Sequence, residues 1–209
     1  FHIKNFVFSP IHENTYVLYN DSKDCIIVDP GCYFDEEKQQ LLDYVKKMGL
    51  VAKLLLNTHC HLDHVFGNKF VHETFGLTLH LHTNELKMLE LAPASGLMWG
   101  MPFDNYQGDF IFIKEGDLIK IGNDQLKVIE APGHSPGHVC FYCEKQGFLI
   151  GGDVLFQGSI GRTDLPGGSF ETLIKSIKTK LFTLPDETIV YSGHGDATTI
   201  GEEKLYNPY

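Results

Sequence analysis

Residues 57–68 read Asn-Thr-His-Cys-His-Leu-Asp-His-Val-Phe-Gly-Asn, with three histidines and an aspartate inside six positions. Imidazoles pack poorly in a core and are unneeded on a surface. A cluster this dense therefore constrains the fold: the chain has to bring these side chains to a common point. In an extended segment residues two apart face the same side, so His59 and His61 can share one ion while Cys60 turns away. A helix beginning just after them places Asp63 and His64 in its entry turn, facing the same hollow.

Three more ligand-type residues stand where apolar runs end: His134 in Ala-Pro-Gly-His-Ser-Pro-Gly-His, Asp153 in Ile-Gly-Gly-Asp-Val-Leu-Phe, and His194 in Tyr-Ser-Gly-His-Gly-Asp. Strand ends are where α/β proteins build sites, and the adjoining glycines let backbone approach a ligand closely. Seven donors exceed the three protein ligands of a catalytic zinc. The expectation is two ions: His59, His61 and His134 on the first, Asp63, His64 and His194 on the second, Asp153 bridging. Zinc is the default metal, and the mixed imidazole and carboxylate set also suits iron or manganese. A lone histidine at a strand end is ordinarily structural, and the chain supplies its own contrast in His80-Leu81-His82, a mid-strand pair without neighbouring carboxylates. That pair reads as structural. The metal reading rests on the combination, not on any one His-x-His.

The pattern around the cluster predicts an α/β fold. Short strands are expected at Ile-Lys-Asn-Phe-Val-Phe, Thr-Tyr-Val-Leu-Tyr-Asn and Cys-Ile-Ile-Val-Asp-Pro-Gly, then a helix with Leu41, Leu42, Val45 and Met48 at helical spacing, closed by Gly49. Val-Ala-Lys-Leu-Leu-Leu leads into the cluster, a helix follows over about 65–75, Leu-Thr-Leu-His-Leu-His is a strand, and a helix runs over about 84–91. The second half repeats strands in a block, with Ser169 capping a helix to about Leu184 and a last strand ending at His194. Strands in two blocks with helices between them suggest a single domain over 1–209, built as a four-layer αββα sandwich. Residues 92–110, irregular and rich in Met98, Trp99, Met101, Phe103 and Tyr106, read either as a substrate lid or as a loop packed on the surface or on another subunit.

Composition excludes several classes. A net charge of −10 gives no basic footprint for nucleic acid and disfavours anionic membranes. No apolar run reaches transmembrane length, and the start has no basic region followed by an apolar stretch, as a signal peptide would. Five scattered cysteines, Cys25, Cys32, Cys60, Cys140 and Cys143, make no disulfide framework and point to a reducing cytoplasm. Cys140 and Cys143 lie three apart in a strand, facing opposite sides, which argues against a zinc or redox pair.

Val-Asp-Pro-Gly with Asp29, Thr-His-Cys-His-Leu-Asp-His, Pro-Gly-His-Ser-Pro-Gly-His, Gly-Gly-Asp-Val-Leu-Phe, Gly-Arg-Thr-Asp-Leu-Pro-Gly-Gly and Ser-Gly-His-Gly occur in the order of the metallo-β-lactamase superfamily. The chain resembles that superfamily over nearly its whole length, and within it the small glyoxalase-II-like hydrolases, whose tail is similar to Ile-Gly-Glu-Glu-Lys-Leu-Tyr-Asn-Pro-Tyr. The resemblance implies the αββα fold, the seven ligands above, Asp29 orienting the metal loop, and His138 supporting the site without ligating. It implies hydrolysis of a small thioester of the S-lactoylglutathione type by a metal-bridging hydroxide, with Asp63 orienting that nucleophile and Asp153 bridging.

Two departures stand out. Glyoxalase II proper has a C-terminal helical domain that grips glutathione, and the resemblance finds no counterpart of it here. Its Gly-Lys-x-Tyr stretch is Gly161-Arg162-Thr163-Asp164 in this chain, so Arg162 keeps a cation that can meet a substrate carboxylate while the tyrosine is gone. The same motifs also resemble persulfide dioxygenases, which would use a single iron on His59, His134 and Asp153. A non-catalytic metal-binding module is the remaining alternative, and loss of a ligand would mark it; all seven are present.

Overall fold

In the computed structural model, which describes residues 1–209, the chain divides into two units, 1–112 with 120–124 and 113–119 with 125–209. The first unit holds a six-stranded mixed sheet in the order β1 (His2–Phe8), β2 (Glu13–Tyr19), β3 (Asp24–Val28), β4 (Val51–Leu56), β5 (Leu79–Leu81) and β6 (Phe110–Phe112). The first three strands are antiparallel hairpins, in register Val17↔Lys4 and Val17↔Ile27. From β3 onward neighbours are parallel. Parallel pairing requires crossovers, and helices supply them: α1 (Asp35–Lys47) between β3 and β4, and α2 (Leu62–Val65) with α3 (Asn68–Phe75) between β4 and β5.

Leu41 and Val45 of α1, Val71 of α3, and Met88, Leu89 and Ala92 of the next helix join Phe8, Val17, Ile27, Leu55 and Leu79 of the strands in one core. Burying each such side chain contributes on the order of 1.5–3 kcal/mol. Leu18, Ile26 and Val28, on the alternate strand positions, are equally inaccessible. α1 starts with Asp35, Glu36 and Glu37 and ends with Lys46 and Lys47, complementing its dipole. Glu37 also caps it, accepting from the backbone of Tyr33 and of Phe34 at 2.8 and 3.1 Å. Past the C-cap Met48, Gly49 turns left-handed at φ 64°, as expected.

The helix expected over 65–75 is two helices. Phe66 and Gly67 interrupt it because the chain passes too close to the preceding loop: Gly67 N donates to Pro30 O at 2.7 Å, and a Cβ at Gly67 would run into Cys32 Sγ. The short helix α2 is what this break leaves for Asp63 and His64. The expected strand over Leu-Thr-Leu-His-Leu-His shrinks to residues 79–81, since His82 already turns to cap a 3-10 turn at Thr83–Glu85.

Residues 92–98, expected to be irregular, are helical. α4 runs from Leu86 to Met98 and carries Pro93 inside it. Proline lacks the N–H that would bond four residues back. Here the freed carbonyl of Leu89 accepts Asn105 Nδ2 at 2.7 Å instead, from the loop beyond the helix. Leu97, Met98 and Trp99 at the helix end are 62–86% exposed.

The second sheet runs β14 (Thr198–Thr199), β13 (Ile189–Ser192), β10 (Phe148–Gly152), β9 (Val139–Cys143), β8 (Asp124–Glu130) and β7 (Leu118–Ile121). β8, β9 and β10 are antiparallel, whereas β10 and β13 are parallel through the crossover helix α5 (Phe170–Thr179). Ser169 caps α5, accepting Thr172 N–H at 3.3 Å. The helix stops at Thr179 rather than near Leu184, with Lys180 as its C-cap, and a 3-10 turn, Leu181–Thr183, follows. Leu173 and Ile177 of α5, with Leu181, pack on Cys140, Leu149 and Val190. A two-stranded hairpin, β11 (Leu155–Phe156) with β12 (Ser159–Ile160), and a terminal helix, α6 (Ile200–Tyr206), complete this unit. All five cysteines are free and buried. No helix is long and apolar enough to cross a membrane.

Candidate metal centre

In the first unit the loop leaving β4 delivers His59 and His61, and α2 delivers Asp63 and His64. All four are buried, His59 and His64 completely. The His59 ring lies 4.8 Å from that of His61 and 4.1 Å from that of His64. The expectation that Cys60 turns away holds: it joins the hydrophobic core, and its N–H donates to the buried Glu85 carboxylate at 2.8 Å.

Asp29 organises this half. It follows β3 in a left-handed conformation, φ 47°, which short polar side chains tolerate better than others. Its carboxylate accepts Thr58 N at 2.7 Å, Thr58 Oγ1 at 2.6 Å and Asn57 Nδ2 at 3.3 Å, and Oδ2 meets His64 Nδ1 at 3.1 Å. Thr58 has one hydroxyl proton, which goes to Asp29, so its oxygen accepts from His59 Nδ1–H at 3.0 Å. The network favours the Nδ1–H tautomer of both imidazoles, in which the Nε2 lone pair is the metal-binding one. Asp29, His59 and His64 cluster closely enough to resemble a three-ligand site. The Asp29 carboxylate is engaged in these hydrogen bonds, which orient the loop and the two imidazoles around it.

Behind Asp29 lies Glu13, fully buried, with Oε1 3.9 Å from His64 Nδ1. Burial pushes its carboxyl well above the ordinary carboxylate range, against the pull of His64. Thr15 Oγ1 lies 2.8 Å from Glu13 Oε2 and 2.9 Å from Asp29 O, and it accepts Gly31 N–H at 2.8 Å. Thr15 has one hydroxyl proton to divide between the Glu13 carboxyl and the Asp29 carbonyl, so it ties the buried acid to the Asp29 main chain. Glu13, Thr15 and Thr58 escape a reading of the sequence. The only available signal is an acid at the start of a strand with threonine two residues on, and that pattern is common on exposed strands.

In the second unit His134 sits in the loop after β8, Asp153 just after β10 and His194 just after β13. His134 Nδ1–H donates to the Arg162 carbonyl at 2.7 Å, again turning Nε2 inward. His138 does not join the ligands. Its Nε2 accepts the backbone N–H of Asp153 at 3.0 Å and so holds the carboxylate's main chain. The Arg162 guanidinium is exposed and forked onto Asp164, with two bonds of 2.7 Å that pull Asp164 down to about 2.

One arrangement recurs. His64 Nε2 faces Asp63 Oδ2 at 3.5 Å, and Asp153 Oδ2 faces His134 Nε2 at 3.5 Å and His194 Nε2 at 3.4 Å. These gaps exceed a good N–H···O bond. For His64 and His134 the proton already sits on the other nitrogen. Two donors each about 2.0–2.1 Å from one tetrahedral ion lie about 3.4 Å apart. The donor chemistry and the spacing fit divalent transition metals.

His80 and His82 behave otherwise. His80 Nδ1 lies 3.2 and 3.1 Å from the carbonyls of Leu55 and Thr78, and burial lowers its basicity. His82 Nδ1 accepts Asn84 N–H at 3.2 Å as a helix cap. Both are local backbone fasteners.

Residues 9–194 match the family model described as the metallo-beta-lactamase superfamily. Hydroxyacylglutathione hydrolase GloC of Haemophilus influenzae is 39% identical over 199 residues, 94% of this chain and 92% of that protein. The crystal structure of BLEG-1 B3 metallo-beta-lactamase superposes with a TM-score of 0.90 at 42% identity, covering 99% of this chain and 98% of its own. That of TTHA1623 in a di-iron-bound form gives 0.87 at 35%, covering 98% of each chain. The αββα fold class expected from the sequence is that of these structures.

Proposed function

The chain belongs to the metallo-β-lactamase superfamily, and we propose that within it the protein is a dinuclear metal-dependent hydrolase of a small thioester such as S-lactoylglutathione. The observation carrying this reading is the imidazole Nε2 set 3.4–3.5 Å from a carboxylate oxygen, once in the first unit and twice in the second. The two units are taken as halves of one domain over 1–209, because the family match runs through both. His59, His61 and His134 would hold one ion; Asp63, His64 and His194 the other; Asp153 would bridge. Zinc is the first choice, and a di-iron relative at 35% identity keeps iron beside it.

Bound ions of this kind supply Lewis acidity and bring the pKa of water from 15.7 to about 7. The chain's own residues do the rest. Asp29 and Thr58 hold His64 and His59 in one tautomer, Arg162 O does the same for His134, and His138 fixes the backbone of Asp153. Asp63, beside His64, would orient the attacking water while ligating. A thiolate leaves without prior protonation, so the reaction asks for no further acid. Arg162 would receive a substrate carboxylate in place of Asp164. The similarity to a named hydroxyacylglutathione hydrolase supports the thioester, and five buried free thiols suit a reducing cytoplasm.

The test is a parallel assay on one metal-replete preparation: thiol release from S-lactoylglutathione, opening of a β-lactam, and oxygen uptake with a glutathione persulfide. Thiol release should dominate. Oxygen uptake without thioester cleavage would replace the reading with a dioxygenase, and faster β-lactam turnover would replace it with a lactamase.

A further inference from the structure

The C-terminal helix is tied to the candidate site by two side chains that no step above uses. Glu203 on α6 is buried, 4% exposed, although it is a carboxylate near the chain's end. Its Oε1 accepts Thr198 Oγ1 at 2.6 Å, and its Oε2 accepts the backbone N–H of Gly158 at 3.0 Å and Asn207 Nδ2 at 2.8 Å. Asn207 Nδ2 donates also to Ser159 O at 3.0 Å. Gly158 lies in the turn of the β11–β12 hairpin and Ser159 opens its second strand, paired with Phe156. Each side chain therefore makes one hydrogen bond to the hairpin, and a bond between the two joins them; a hairpin with two-residue strands is too short to hold its own shape in water.

That hairpin joins Asp153 to Arg162. Ser192 Oγ anchors its incoming strand by donating to Leu155 O at 2.8 Å. At its outgoing end Gly161 N donates to Val154 O at 3.3 Å, and Gly161 lies so close to the Asp153 carbonyl that a Cβ there would overlap it, while standing 3.0 Å from His134 Nδ1. The next residue presents the carbonyl that takes the His134 Nδ1 proton at 2.7 Å. A tilt of the hairpin would withdraw that carbonyl and free the imidazole to rotate.

We propose that Glu203 and Asn207 are positioning residues, which fix the β11–β12 hairpin so that Arg162 O holds His134 in its metal-binding tautomer and thereby set the metal affinity of the His134–Asp153 half. The tail is a strap on the metal site. This rests on the metal reading of the preceding section, not on the identity of the substrate. Losing the direct partner of a ligating histidine weakens metal binding by about 10–100-fold. Loosening it through the hairpin should give about tenfold, the low end of that range.

The experiment is zinc titration of the metal-free full-length protein against a chromophoric chelator, on wild type, His134→Ala, Glu203→Ala, Asn207→Ala and Glu203→Gln. His134→Ala identifies the affinity belonging to this half. Glutamine keeps an oxygen for Gly158 and Asn207 and turns its amide to the Thr198 hydroxyl, so Glu203→Gln should bind as wild type. Glu203→Ala and Asn207→Ala should bind the His134 ion about tenfold more weakly, with unchanged circular dichroism and with faster amide exchange at Gly158. Cobalt loaded into the same variants should show an altered visible band. Native affinity in Asn207→Ala despite a loosened hairpin overturns the proposal. So does a glutamine variant as weak as alanine, or a loss confined to variants that have lost their helical signal. If wild type takes up one ion only, the dinuclear reading fails, while the comparison between variants still tests the strap.

Discussion

At the scale of a residue, a histidine proposed as a ligand differs from a fastening one in what faces its second nitrogen. His64 and His134 give Nδ1 to an oxygen and turn Nε2 to a carboxylate, whereas His82 uses Nδ1 to cap a turn and His80 is held between two carbonyls. His80→Gln and His82→Gln should leave metal content unchanged, by elemental analysis of purified protein. The second should lower stability by about 0.5–2 kcal/mol, the usual effect of losing a cap, read from urea melts. Asp153→Asn keeps size and loses charge. It should lose at least one ion and most thiol release while the core, which does not include Asp153, keeps its circular dichroism. Two bound ions with near-normal turnover would end the bridging role. The seven proposed donors were legible as candidates in the sequence because each is a polar residue at a strand end or in the dense cluster. Thr58, Glu13 and the Arg162 carbonyl were not. Thr58 and the Arg162 carbonyl act through hydrogen bonds across 29 and 28 residues of sequence, and Glu13 through burial beside a local threonine; none of these leaves a distinctive pattern in the sequence.

Among the elements, α4 shows how side-chain chemistry overrides local signals. Residues 92–110 read as irregular, yet the helix continues past Pro93 to Met98, with Asn105 taking over the Leu89 carbonyl. Asn105→Ala should therefore destabilise the protein by about 1–3 kcal/mol, the effect of leaving a part-buried carbonyl without its bond. In a Pro93→Ala background, where residue 93 can donate to Leu89 itself, the same change should have a much smaller effect. Chemical denaturation of the four proteins of this cycle measures the coupling, and additive effects would refute the account. The strands were legible from their apolar runs to within a few residues. The break between α2 and α3 was not, because it is imposed by the approach of Pro30 and Cys32 to Gly67, a tertiary constraint. The β11–β12 hairpin and α6 escaped for a related reason: they are short, and long-range bonds from Glu203 and Asn207 define them.

For the whole molecule, metal binding should be coupled to folding. Ions that bind the native chain and not the unfolded one stabilise it by about 2.7 kcal/mol at one hundred times their dissociation constant. Stripping with a chelator should lower Tm, and returning zinc should restore it. Falling pH should undo binding as the imidazoles protonate, because ligands must be deprotonated to hold metal. The central claim is that the seven proposed ligands serve two ions. Its most direct test is metal content per chain by elemental analysis, after reloading and removal of excess metal. The account predicts two ions per chain, falling in Asp153→Asn. A value of one that added zinc or iron does not raise would contradict it.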